Sequence, residues 1–371
     1  MSLNNLYAPS ILKKRLRRLR LSLARKKASF LVLNPENRRY LSGFSPEDVS
    51  LVERSGALLI TPQQAFVLTD ARYREEAQEC SPLMEPIIYK RSLVKELGTL
   101  LPALGIKRLL FEEDYLSVAH YKALKKELPS VAFEPSGKLV ERLRECKSTE
   151  ELQTLKKALG LAEDILRHIA PKIRAGVRER EIAAEIIALS YKLAEGPSFP
   201  PIVAAGPHSA RPHAEPSDCR LQSGQPLIID MGVKFRGYCS DITRTFCVGG
   251  ATSRFQEVFD LVYRAKKAAE ATLRPGVEAR VPDLEARRVF QEAGVERHFW
   301  HSLGHGVGLA IHEAPSLSFR NRKKLRANQV ITIEPGLYFP DWGGVRLEDM
   351  VVLTGEGFER LNSLGLDTTL F

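Results

Sequence analysis

The sequence predicts a small α/β layer domain followed by a larger α+β domain built on a repeated unit, and three observations predict it. Short β-rich runs alternate with helical stretches as far as about residue 135. A polar segment then opens a long helix. Beyond that point the order helix, helix, Gly- and His-rich loop, hairpin occurs twice, which is how a duplicated supersecondary unit shows itself. The expected domains are residues 1–135 and 136–371, and the chain of 371 residues is long enough for a separate core in each.

In the first domain Leu12, Leu16, Leu19 and Leu23 fall on one helical face, so the basic stretch 13–27 predicts an amphipathic helix with its cations on the solvent side. SFLVLN (29–34), GALLIT (56–61), AFVLT (65–69) and RLLFEE (108–113) are short apolar runs with strand character. Ala71 to Cys80 and Ser117 to Glu127 have helical patterns, and the alternation is that of a layered α/β domain. The segment ERLRECKSTEELQTLKKAL then offers Ser148 or Thr149 as an N-cap, with Glu150 and Glu151 in the first turn, where a helix favours negative charge.

The repeat comes next. Helical stretches 150–172 and 254–273 end in Arg174-Ala-Gly176-Val177 and Arg274-Pro-Gly276-Val277. Second amphipathic helices are expected at about 178–194 and 281–293, then loops ending in His213-Ala-Glu-Pro216 and His312-Glu-Ala-Pro315. Two hairpins close the units, opening as Gln225-Pro-Leu-Ile-Ile-Asp230 and Gln329-Val-Ile-Thr-Ile-Glu334.

Composition narrows the function classes. With 44% hydrophobic and 27% charged residues the chain has the make-up of a globular protein. No run approaches the roughly 18 apolar residues of a membrane span, and the basic N-terminus lacks the apolar block of a secretory signal, so a cytoplasmic location is expected. Five scattered cysteines (Cys80, Cys146, Cys219, Cys239 and Cys247) without a CxxC pair suit free thiols in a reducing compartment. The net charge of +10 sits mainly in residues 13–27 and Arg320 to Arg326 without a recognition motif, which reads as solvated surface; nucleic-acid binding is not expected.

The chemistry resides in four acids. Asp230 and Glu334 each end an apolar strand that ought to be buried, and Asp241 and Glu348 lie on the returning arms of the same two hairpins. Two copies of one unit facing across an approximate twofold would bring all four together. Such a cluster repels itself unless cations hold it. HSLGHGVGLAIHEAP supplies a fifth donor, His305, among glycines 304, 306 and 308 that permit close backbone approach, with His301 and His312 as polar neighbours. Oxygen donors with one imidazole favour two bridged divalent ions over a thiolate-rich structural zinc. Two such ions about 3.5–4 Å apart activate a shared water and clamp the oxyanion of an attacked carbonyl. Amide or ester hydrolysis is the expected reaction. Cys239, two residues before Asp241, reads as a small packed side chain.

DMGVKFRGYCSDITRTF, HSLGHGVGLAIHEAP and ITIEPGLYFPDWGGVRLED resemble the three metal-binding segments of the pita-bread metallopeptidases, the family of methionine aminopeptidase, prolidase and aminopeptidase P. PENRRYLSGF, LTDARYREEA and SFPPIVAAGPHSARPHAEP resemble the accessory domain and substrate-side loop of its proline-specific branch. The resemblance implies a creatinase-type N-terminal domain, a C-terminal pita-bread domain with an internal pseudo-twofold repeat, and an exopeptidase cleaving Xaa-Pro bonds of dipeptides or short peptides. It implies two divalent ions, Mn²⁺ foremost, with Co²⁺, Fe²⁺ and Zn²⁺ as alternatives. Asp230 would chelate one, Asp241 and Glu348 would bridge both, and His305 and Glu334 would complete the other, Glu334 serving also as general base. His213, His301 and His312 would surround the substrate, and Tyr338 and Arg346 would support the ligands. A homodimer is a further implication. A methionine aminopeptidase-like enzyme and a catalytically silent pita-bread binding protein are the competing expectations; the first lacks an α/β domain before residue 135, and intact ligands disfavour the second.

Overall fold

The computed structural model describes residues 6–80 and 83–366. They form two compact units, Met1–Arg144 and Glu145–Phe371, so the first unit continues past residue 135 through a short helix.

The first unit contains six strands, β1 (Ser29–Val32), β2 (Ala57–Ile60), β3 (Ala65–Thr69), β4 (Glu85–Ile88), β5 (Arg108–Phe111) and β6 (Ala132–Pro135), in the sheet order β4-β3-β2-β1-β5-β6. Pairings β3–β4, β1–β5 and β5–β6 are parallel, and β2 alone runs against its neighbours. β4 and β6 carry prolines and polar residues, which edge strands tolerate and a search for apolar runs passes over. Helices α1 (Pro9–Lys26), α2 (Pro35–Ser42), α3 (Arg74–Cys80), α4 (Leu93–Ala103), α5 (Val118–Glu127) and α6 (Glu141–Arg144) complete the unit. In α1 the four predicted leucines are buried. Its cations are not all solvated: Arg15 is buried, donates from Nη1 to the Tyr40 carbonyl at 2.9 Å and lies 4.1 Å over the Tyr40 ring. Glu112 lies one residue past β5, buried. It accepts from the Leu33 and Asn34 amides and Asn37 Nδ2, each at 2.5 Å, around the N-terminus of α2. Burial pushes its carboxyl up to about 7 despite these donors.

The second unit opens with α7 (Thr149–Ile169), whose N-cap is Ser148. Its hydroxyl accepts from Glu151 N–H while Glu151 accepts from the Ser148 amide, a reciprocal cap of about 1 kcal/mol. After α8 (Glu179–Leu193) come β7 (Ile202–Ala205), β8 (Pro226–Met231), the small hairpin β9 (Lys234–Phe235) and β10 (Tyr238–Cys239), and β11 (Ile242–Cys247); β11, β8 and β7 form an antiparallel sheet. The second half has α9 (Ser253–Glu270), α10 (Arg280–Glu292), β12 (Gly304–Gly306), β13 (Glu313–Leu317), β14 (Val330–Ile333), β15 (Gly336–Phe339), β16 (Gly343–Arg346), β17 (Asp349–Leu353) and β18 (Phe358–Arg360). Here β13-β12-β14-β17-β18 form one sheet and β15–β16 a separate hairpin.

The two halves share more than element order. Gly176 donates its N–H to the Leu221 carbonyl at 2.9 Å and Leu221 donates to the Val177 carbonyl at 2.8 Å. Gly276 and Leu325 repeat the exchange, with Val277 as acceptor, at 2.8 Å in both directions. Gly176 and Gly276 adopt φ of 90° and 88°, a region open to glycine at little cost. No helix among the described residues is long and apolar enough to cross a membrane.

Candidate metal centre

Strand register explains why the acids meet. In the β8–β11 pair Asp230 lies opposite Thr243. Residues directly opposite share a face, as do residues two apart, so Asp230, Thr243 and Asp241 project from one side of the hairpin. In the β14–β17 pair Ile333 lies opposite Asp349, so Glu334 and Glu348 stand just beyond the last pair of the ladder. The hairpins thus present two acids each, and Asp241, His305 and Glu348 offer donor atoms all within 4.8 Å of one another.

His305 is the link between them. Its Nε2 lies 3.3 Å from Glu334 Oε1 and 3.6 Å from Asp241 Oδ2, and its Nδ1 donates to the Gly306 carbonyl at 3.2 Å, which leaves Nε2 turned to the acids. The strand that carries it packs tightly: a Cβ at Gly304 would stand 2.0 Å from the Thr332 carbonyl oxygen. Two threonines two residues from an acid set carboxylate orientation. Thr243 donates to Glu348 Oε2 at 2.7 Å and Thr332 to Glu334 Oε1 at 3.3 Å. Neither threonine belongs to the sequence-predicted site, although alternation places Thr243 beside Asp241 and Thr332 beside Glu334 on their faces.

Electrostatically the cluster is unbalanced. Burial, then Glu348, Asp230 and Glu334, push Asp241 well above the usual carboxylate range. Glu348 is raised well above it by burial and by Glu334 and Asp230, and burial also raises Asp230 despite Arg346. Glu334 goes the other way, to about 2: burial opposes ionisation there too, but the His305 hydrogen bond and the His305 and Arg346 charges outweigh it. Four buried carboxylates cannot all ionise on the strength of one guanidinium and one imidazole. Asp230 Oδ1 is buried with no hydrogen-bond partner, a state that costs several kcal/mol unless something else coordinates it. Five oxygen and nitrogen donors and an orphaned carboxylate oxygen fit a pair of divalent cations.

The surrounding side chains fall into two groups. Arg346 Nη2 donates to Asp230 Oδ2 at 2.6 Å and Nη1 to the Tyr338 hydroxyl at 2.9 Å. Tyr338 in turn lies 2.8 Å from His301 Nε2, and His301 Nδ1 lies 2.8 Å from the Ser302 carbonyl. Burial lowers the His301 pKa and raises that of Tyr338 to about 12, so both are neutral. The donors are then assigned: His301 Nδ1 donates to Ser302, and the tyrosine hydroxyl donates to Nε2. His301 therefore lines the cavity with both nitrogens engaged and steadies Tyr338 and Arg346. His213 and His312 are exposed on the same cavity, the His312 ring 4.2 Å from that of His305. The cavity measures about 690 Å³, and Phe199, Pro200, Pro201 and Ile202 give its lining an apolar stretch. Cys239 is buried and its thiol lies 3.6 Å from the Leu309 carbonyl, a packed position away from the cavity lining.

Comparison with known proteins bears on the same residues. The family model described as metallopeptidase family M24 matches residues 153–355, and that described as the creatinase/prolidase N-terminal domain matches residues 15–146. The chain is 36% identical over 336 residues to the Xaa-Pro dipeptidase of Pyrococcus horikoshii, covering 90% of this chain and 92% of that protein. It superposes on an Xaa-Pro dipeptidase structure from Bacillus anthracis with a TM-score of 0.90 at 34% identity, covering 96% and 99% of the two chains. It also superposes on an X-Pro aminopeptidase from Thermotoga maritima with a TM-score of 0.83 at 32% identity, covering 92% and 96%.

Proposed function

Because the chain belongs to metallopeptidase family M24, we propose that it is a metal-dependent exopeptidase that hydrolyses the bond between a peptide's first residue and a following proline. The observation that carries this reading is the convergence of Asp241, His305 and Glu348 donor atoms within 4.8 Å beside an unpartnered Asp230 oxygen, inside a cavity sized for a short peptide. Asp230, Asp241 and Glu348 would hold one ion, and His305 and Glu334 with the same Asp241 and Glu348 the other. When bound, the two ions supply Lewis acidity, lowering the pKa of water and offsetting charge on the attacked carbonyl oxygen.

The chain's own groups do the rest. Glu334, held by Thr332 and next to His305, accepts the proton of the attacking water and delivers it to the leaving proline nitrogen. That nitrogen belongs to a tertiary amide and has no hydrogen of its own, so it must gain a proton to leave. His213 and His312, exposed on the cavity, donate to the substrate carbonyl and to the oxyanion that forms from it. Arg346 and Tyr338 keep Asp230 oriented. The apolar wall of Phe199, Pro200, Pro201 and Ile202 matches a proline ring. Mn²⁺ is the assigned ion, because oxygen donors outnumber the one imidazole and no thiolate joins them. Cys146, Cys219, Cys239 and Cys247 form no disulfide, in keeping with a reducing cytosol, and the proposed assembly is a homodimer.

The test is hydrolysis of Xaa-Pro substrates by protein reconstituted with Mn²⁺, before and after chelation. Turnover that chelation abolishes and Mn²⁺ restores is expected. Glu334→Ala should lower kcat/KM by at least about a thousandfold with the fold retained, a loss of the size attributed to general acid–base groups; wild-type turnover in that variant would remove Glu334 from the mechanism.

A further inference from the structure

Charge on the cavity wall decides which group the site accepts on the carboxyl side of the proline. Among the described residues that line it, the one guanidinium is Arg346. Besides Asp230 and Tyr338, it donates from Nε to Thr243 Oγ1 and from Nη1 to the Pro212 carbonyl, both at 3.2 Å. With 3% of its side chain exposed, it has no free face for a substrate carboxylate. The four carboxylates of the metal centre are matched in formal charge by two divalent cations. Glu313, also on the wall, is balanced by the Lys147 ammonium at 3.6 Å and accepts from the Ala310 amide at 3.0 Å. Glu215 stands apart. It is exposed, lines the cavity, and lies two residues from His213 on the loop 212–216.

In a free Xaa-Pro dipeptide the terminal carboxylate is separated from the scissile nitrogen by a single carbon. It enters the cavity along with that nitrogen. There it would be stripped of water without a cation of this chain to receive it, and it would face Glu215. We propose that Glu215 is a specificity-determining residue that disfavours a carboxylate directly after proline, so that the preferred substrates are peptides in which a further residue or an amide masks the proline carboxyl. The proposal rests on the Xaa-Pro exopeptidase reading and narrows its substrate class. Like charges on the order of 7 Å apart, at an effective dielectric of about 20–40, repel by an amount worth roughly five- to fiftyfold.

The experiment compares Ala-Pro, Ala-Pro-amide and Ala-Pro-Ala as substrates of the Mn²⁺-loaded protein, with Glu215→Gln alongside. Ala-Pro and its amide have nearly the same shape and differ in charge, so their ratio isolates the effect. Expected is a kcat/KM about tenfold higher for the amide and the tripeptide than for Ala-Pro, and an amide-to-acid ratio that falls to near one in Glu215→Gln. Calorimetric binding of proline and prolinamide provides a readout independent of turnover: the wild type should bind prolinamide more tightly, and the variant should lose that preference. Metal content and circular dichroism equal to wild type show that the variant is folded. Preference for Ala-Pro over the amide, as when a second copy brings a cation to the cavity, overturns the inference and leaves the exopeptidase reading standing. A ratio unaffected by Glu215→Gln does the same. Failure to hydrolyse any of the three substrates brings down the exopeptidase reading and the inference with it.

Discussion

Glu348 and Asp349 are neighbours in the chain and both are buried, yet they face opposite environments. Asp349 accepts from Arg244 Nη2 at 2.9 Å and lies 3.0 Å from the Lys266 ammonium and 3.3 Å from Arg360 Nε. Burial works against its ionisation, but Lys266, Arg244 and Arg360 overcome it and hold the carboxyl below its usual range. Glu348 accepts a hydroxyl hydrogen from Thr243 and lies near His305, but burial and the neighbouring acids Glu334 and Asp230 raise it well above its usual range. Strand alternation at the start of β17 sends the two side chains to opposite sides. A buried acid answered by the chain's own cations is part of the scaffold. One answered by like charge is a site for a cation from solution.

Two substitutions of the same chemical kind test this contrast most strongly. Asp349→Asn takes from buried Arg244 the carboxylate it bonds and leaves Lys266 and Arg360 only Glu270 of their two acids, and should destabilise the protein by about 3–5 kcal/mol in denaturant unfolding under chelator. Glu348→Gln removes a repelling charge, so under the same conditions it should be no less stable than wild type, while losing the dinuclear metal stoichiometry in metal analysis. If the two unfolding results exchange places, the contrast is wrong.

Glu112 is the intermediate case, a buried acid with three N–H donors and no cation bonded to it. Its pKa of about 7 exceeds the roughly 4.3 of an unfolded glutamate. Its contribution to stability is therefore complete below about pH 4 and lost as pH rises through about 7, a change on the order of 3 kcal/mol. Asp349, with its pKa depressed, behaves oppositely and is at full effect at neutral pH. Unfolding midpoints measured from about pH 5 to 8 should fall less steeply in Glu112→Gln than in wild type; identical slopes would show that Glu112 is already ionised at pH 5.

Thr243→Val gives the smallest effect. It removes the hydroxyl bond to Glu348 while keeping the side-chain shape, and about tenfold weaker metal binding by titration is expected, in line with other ligand-orienting contacts. Unchanged affinity would mean that Glu348 is held by the metal alone.

The donors are legible in the sequence because they stand in long motifs and because strands of period two put hairpin acids on a common face. The leucine stripe of α1 is legible for the same kind of reason, but not Arg15, whose burial under Tyr40 depends on α2 lying alongside. β4 and β6 escape a search for apolar runs, since edge positions relax the demand for apolar residues. Sequence gives His301 a hydrogen bond to the substrate, whereas the structure engages both ring nitrogens elsewhere.

What periodicity and motif order settle is local: which residues lie on which face of their own strand or helix, and that one plan of elements is used twice. The partners of those residues lie far away in the chain. Thr243 meets Glu348 across 105 residues and Arg346 meets Asp230 across 116, so packing of separate hairpins, rather than any local preference, makes Asp349 a scaffold acid and Glu348 a candidate ligand. The same packing ties up Arg346 and leaves Glu215 facing the cavity, because burial and charge balance are properties of neighbours in space.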